Sequence, residues 1–62
     1  MKPIRFNWSA RFGYTTLEFN GYKYGTYNEY LARLIIKKAE RTPGKAWNDA
    51  RKHAAQGDLE VL

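Results

Sequence analysis

The sequence predicts an α+β domain: a small three-stranded antiparallel sheet packed on two helices, with residues 58–62 either a short fourth strand, the favoured reading, or a loosely docked tail. Three observations carry that expectation. Lys2 to Trp8 alternates Ile4, Phe6 and Trp8 with Arg5 and Asn7, the period of two expected of a half-buried strand. Asn20-Gly21 lies between two runs rich in β-formers, and this pair is the strongest short-range hairpin signal. Apolar residues then return every three or four positions from Tyr27 onward, as in an amphipathic helix.

Taking the elements in order, Pro3 suits the start or edge of the first strand because it cannot donate to a ladder. Ser9 to Gly13 reads as a connecting turn, and Tyr14 to Phe19 (YTTLEF) as the second strand. A two-residue loop at Asn20-Gly21 sets Phe19 opposite Tyr22, Glu18 opposite Lys23 and Leu17 opposite Tyr24. Leu17, Phe19, Tyr22 and Tyr24 then share one apolar face, while Glu18 and Lys23 form an opposite-charge pair on the other. Gly25 ends the third strand.

Thr26-Tyr27-Asn28-Glu29 has capping-box spacing, with Asn28 as a competing N-cap. The helix is expected to run to about Arg41, with Tyr27, Leu31, Leu34, Ile35 and Lys38 on one stripe and Ala32, Ile36 and Ala39 beside it; Glu29 and Arg33 form an i,i+4 pair. A second helix starts with Thr42 as cap and Pro43 at its first position. It carries Ala46, Trp47, Ala50 and Ala54 along one side and ends at Gly57. The expected core is Ile4, Phe6, Trp8, Leu17, Phe19, Tyr24, Tyr27, Leu31, Leu34, Ile35, Trp47, Ala50 and Val61.

Sixty-two residues make one domain, residues 1–62, and a chain this short buries only about 60% of its unfolded surface. With no cysteine there are no disulfides and no thiolate metal sites, so aromatic rings must supply much of the core. The longest strictly apolar run, Leu34-Ile35-Ile36, is far short of a membrane span. MKPIRFNW lacks the apolar stretch of a signal peptide, and a cytoplasmic location is the expectation.

Catalytic constellations are missing. His53 is the only histidine and Ser9 the only serine; neither completes a zinc site or a nucleophile arrangement. His53 reads as a solvated residue near a helix C-terminus, where a protonated ring suits the dipole. The acidic residues show no paired-acid pattern. Thr42-Pro43-Gly44-Lys45 lacks the spacing of a phosphate loop. No enzyme, cofactor or metal is expected.

Charge is the remaining lead. The net charge is +5, and residues 31–57 hold seven basic and two acidic side chains, followed by Asp58 and Glu60 in the last five residues. This biases the protein toward polyanions or acidic protein surfaces. Arg33, Lys37 and Arg41, spaced by four, make a helical stripe, and Lys45, Arg51 and Lys52 add charge on the second helix. Such a stripe is either a solvated face or a footprint on phosphates. The outer sheet face is a second candidate: Arg5, Asn7, Tyr14, Thr16 and Lys23 lie opposite the core with Arg11 at a loop, and Arg, Lys and Asn read base edges. Glu18, in the middle of that face, opposes phosphate.

Residues 14–40, YTTLEFNGYKYGTYNEYLARLIIKKAE, resemble the sheet-then-helix core of AP2-type and phage-integrase arm-binding DNA domains. The order strand, Asn-Gly turn, strand, Gly-x-aromatic step (Gly25-Thr26-Tyr27) and helix with a small residue (Ala32) carries the likeness. The resemblance implies a three-stranded sheet in the major groove, with Arg5, Asn7 and Lys23 as contacts. The bulky Leu34-Ile35-Ile36, the second helix and the acidic tip depart from the pattern.

Two functions follow as expectations. The first is a small module for double-stranded DNA, using Arg33, Lys37 and Arg41 or the sheet residues Arg5, Asn7, Arg11 and Lys23. The second is a small protein-binding regulator, of the kind a phage or mobile element encodes, docking on an acidic surface of a larger enzyme or assembly. Tyr14, Tyr22 and Tyr30 would be its anchors.

Overall fold

A computed structural model describes residues 3–62. The chain folds as β1 (Phe6–Arg11), β2 (Tyr14–Phe19), β3 (Tyr22–Thr26), α1 (Glu29–Arg41), α2 (Pro43–Gln56) and β4 (Glu60–Val61). The strands form one antiparallel sheet in the order β1-β2-β3-β4, and the helices cover one of its faces. The fold is α+β, and the short fourth strand is formed. Lys2 lies outside the described residues.

The Asn20-Gly21 hairpin has the expected register, with Phe19 opposite Tyr22, Glu18 opposite Lys23 and Leu17 opposite Tyr24. Both loop residues hold positive φ, 49° and 91°. Asn20 does further work: its side-chain oxygen accepts from the Arg5 amide at 2.8 Å, and its own amide donates to the Arg5 carbonyl at 2.9 Å. This fastens the segment before β1 to the turn.

The first strand lies later than the alternation suggested. It runs to Arg11, and the loop expected at Ser9 to Gly13 shrinks to Phe12-Gly13, again with positive φ at both residues, 53° and 79°. Phenylalanine is out of place there. Its Cβ strains the left-handed region that asparagine or glycine tolerates.

The core forms where sheet and helices meet. Leu17 and Phe19 are fully buried on β2, joined by Tyr24, Leu31, Ile35, Ala39, Ala46, Ala50 and Leu59. Phe19 touches Phe6 at 4.9 Å between centroids and lies parallel to Trp47 at 6.1 Å. Trp47 in turn donates to the Tyr24 hydroxyl at 3.4 Å. Burying each such side chain contributes about 1.5–3 kcal/mol. Ile4, Phe6 and Trp47 pack on the core partly buried.

Four residues expected inside are exposed. Tyr27 precedes the helix, which begins at Glu29 with Asn28 as N-cap, accepting from the Leu31 amide at 3.1 Å. The Thr26–Glu29 box is therefore not made; the Thr26 hydroxyl accepts from the Asn28 amide and donates to the Asp58 carbonyl instead. Leu34 sits about 100° around the helix from Ile35, beyond the buried stripe of Leu31, Ala32, Ile35 and Ala39. Val61 lies on the edge strand opposite Tyr24, and Leu59 takes the interior place. Trp8 faces the helix side opposite Leu17, but it lies on the outermost strand of the sheet and stays 48% exposed.

Thr42 alone joins the helices. Its hydroxyl makes no cap to α2 and bonds back to the Lys38 carbonyl at 3.3 Å. Pro43 opens α2 as expected, and Gly57 closes it in the left-handed conformation.

Phe12→Asn should stabilise the fold by about 1 kcal/mol, because it relieves the left-handed strain at no cost in buried surface. Urea unfolding checks this; an unchanged or lowered midpoint counts against the strained turn. Gly25 offers a second test. A Cβ there would run into the Tyr14 ring, which crosses the Gly25 backbone. Gly25→Ala should cost about 1–3 kcal/mol, and the cost should shrink when Tyr14→Ala is added, a coupling read from a double-mutant cycle.

Candidate functional site

The cations anticipated from the sequence fall into two groups on opposite sides of the molecule. On the outer sheet face, Asn7 and Lys23 both flank Glu18, one on each neighbouring strand. Arg5 precedes β1 and lines a shallow depression with Glu18 and Asn20. Asn7 already spends its side-chain oxygen on the Trp8 amide at 3.0 Å. This face thus carries a carboxylate at its centre and one amide committed to the protein itself.

The other group lies on α1. Arg33, Lys37 and Arg41 are exposed, and among the described residues none takes part in an ion pair. The ion pair found is Lys38–Asp49, at 2.5 Å, and the His53 ring Nδ1 lies in hydrogen-bond contact with the Asp58 carboxylate at 3.2 Å. The anticipated Glu29–Arg33 pair is not made, although both side chains line the same cleft. Lys38 points away from the row and ties α1 to α2. At the corner between the helices, Lys37, Arg41 and Lys45 line a shallow open depression with Lys38 and Thr42. The remaining α2 cations differ: Arg51 is held over the Trp47 ring at 4.7 Å and donates to Asn48 at 2.6 Å, while Lys52 is exposed.

Arg11, grouped with the sheet residues from the sequence, shares a cleft with Arg33. Both line a cleft of about 270 Å³ between the tip of the β1–β2 hairpin and the first half of α1. Trp8, Phe12, Glu29 and Ile36 share it. Sequence reasoning missed Trp8 and Phe12, assigning one to the core and the other to a turn. The usable signal was Phe-Gly between two β-forming runs, where a hairpin loop prefers Asn-Gly.

The three tyrosines proposed as anchors have different fates. Tyr14 is half-buried, laid across Gly25 and edge-on to Tyr27 at 4.6 Å. Burial, the nearby Glu60 carboxylate and Tyr27 hold its phenol above the ordinary value. It is therefore occupied as an internal brace. Tyr22 is exposed but leans on Trp47 at 5.5 Å, and Tyr30 is exposed on the first turn of α1.

His53 is half-buried against Asp58, which ties the end of α2 to the segment leading into β4. Among the described residues no group of three or more His, Cys, Asp or Glu side chains could hold a metal ion, and no helix is long and apolar enough to cross a membrane.

The Lys38 ammonium, by hydrogen bond and then by charge, holds the Asp49 carboxyl below its ordinary value despite some opposing burial. The folded state thus binds this proton less readily than the unfolded chain. The stabilisation is fully present above the unfolded Asp value, about 3.9, and is lost as pH falls through the lowered folded value. Because both side chains are partly exposed, Asp49→Asn should cost no more than about 1 kcal/mol at neutral pH. The gap between wild-type and variant melting temperatures should hold steady from neutral pH down to about 4 and narrow only on further acidification, below the unfolded value; a gap that does not narrow there argues against the pair.

Comparison of the chain with protein-family models, with curated proteins and with solved structures finds no match.

Proposed function

We propose that the chain is a small DNA-binding module that sets the cationic row of α1 against a phosphate backbone. One observation carries this reading: Arg33, Lys37 and Arg41 stand exposed, with no carboxylate in ion-pair range among the described residues, while their neighbour Lys38 is neutralised by Asp49. Exposed cations spaced one helical turn apart release counterions when they meet phosphate, and that release drives binding. Lys45 extends the row around the corner. The outer sheet face is the weaker candidate, because Glu18 lies between Asn7 and Lys23. The likeness of residues 14–40 to sheet-reading DNA domains favours DNA as ligand, but the charge favours the helix as the surface.

A second reading has its own support. Tyr30 and Leu34 are both exposed and lie one turn apart on α1, the pattern of apolar anchors on a protein-binding helix. With the cations beside them, they suit a regulator that docks on an acidic protein surface.

Titration against random-sequence duplex DNA separates the two. With three or four phosphates contacted, log affinity should fall against log salt with a slope of about −2.7 to −3.6. Reversing Arg33, Lys37 and Arg41 to glutamate should abolish binding, while Arg5→Glu and Lys23→Glu should leave it within about twofold. Absence of binding even at low salt overturns the DNA reading and leaves the protein-docking one.

A further inference from the structure

The cleft at the tip of the β1–β2 hairpin joins two features that the fold itself does not use. Phe12 is 100% exposed and Trp8 is 48% exposed. Phe12 also sits at φ +53, where asparagine would be relaxed. A bare phenyl in a strained turn contributes nothing to the core. Backbone strain kept without a structural return is a mark of function. Two basic residues, Arg11 and Arg33, line the same cleft, against one acidic residue, Glu29.

We propose that this cleft receives an unpaired base of single-stranded nucleic acid, with Trp8 and Phe12 as stacking surfaces and Arg11 and Arg33 holding the adjoining phosphates. The proposal rests on reading the α1 row as a phosphate track, and it narrows the ligand from duplex to single strand. Continuity is what favours it. Arg33 belongs both to the cleft and to the row, and Lys37 and Arg41 line the next depression along the helix with Lys45. From residue 33 to residue 41 the helix rises about 12 Å, so a few nucleotides can run from the aromatic end to the helix corner. Aromatic platforms beside a cationic groove are how single strands are held without sequence preference, since every base has a π-face. A duplex keeps those faces stacked inside and offers the two rings nothing.

Fluorescence anisotropy tests this with a labelled thymidine oligomer of about twelve nucleotides, within the usual site size, and a duplex of equal length. The oligomer should bind about tenfold more tightly than the duplex or better, and Trp8→Ala and Phe12→Ala should each weaken it about 5- to 150-fold. The salt slope should be unchanged in these variants and reduced in Arg33→Glu. Phe12→Asn removes the ring while relaxing the turn, so lost binding in that variant cannot be laid to unfolding. Ring variants that bind the oligomer like wild type, or a preference for duplex, overturn the proposal. If duplex still binds through the α1 row in that case, the phosphate reading survives and only the base pocket falls. If neither nucleic acid binds at low salt, both fall. Displacement of the oligomer from the rings by a glutamate-rich peptide at lower concentration also overturns the proposal and assigns the cleft to a protein partner.

Discussion

Phe19 is the residue on which the architecture turns. Its ring, fully buried, is met by Phe6 from β1, Tyr24 from β3 and Trp47 from α2. Three strands and a helix are thereby fastened at one end of the sheet. A chain of this length has no second core to draw on and no disulfide to help. Cover reaches the opposite end of β2 and β3, where Thr15 and Thr26 are buried, but β1 is the outermost strand, and Trp8 and Ala10 on it remain exposed where they line the cleft beside α1. The exposed aromatic surface is thus a consequence of where a small core can be closed.

The fold was legible where local chemistry and tertiary packing agree. Asn20-Gly21 fixes a register, the alternating residues on either side fix the faces, and Pro43 and Gly57 bound the second helix. The reading failed where a residue's type and its position disagree. Trp8 continues the alternation correctly and does face inward, but alternation says nothing about how far the helices reach. Tyr27 and Leu34 stand at plausible spacings, but Tyr27 precedes the helix and Leu34 lies one step outside the buried stripe. Ala32, Ala39, Ala46 and Leu59 are buried, while Trp8, Tyr27, Leu34 and Val61, expected inside, are not.

The site was legible in part. Arg33, Lys37 and Arg41 form the row that their spacing of four implies, and the row survives without internal neutralisation among the described residues. What spacing could not give was the partner of Lys38, since Asp49 comes from another helix, or the cleft that Arg11 and Arg33 share. Phe12 was placed in a turn, but its exposed ring at positive φ went unrecognised, since phenylalanine is a poor residue for that conformation. That conflict between residue and conformation was itself the clue.

The two-residue strand β4 has a consequence for behaviour in concentrated solution. Only Glu60 and Val61 pair with β3, helped by the Leu62 amide on the Lys23 carbonyl at 2.9 Å. Detaching so few hydrogen bonds is the least costly opening available to the sheet. It would bare an interior strand rich in tyrosine to a neighbouring molecule. The last residues thus cover part of the β3 edge, and Leu59, buried beneath them, anchors that cover.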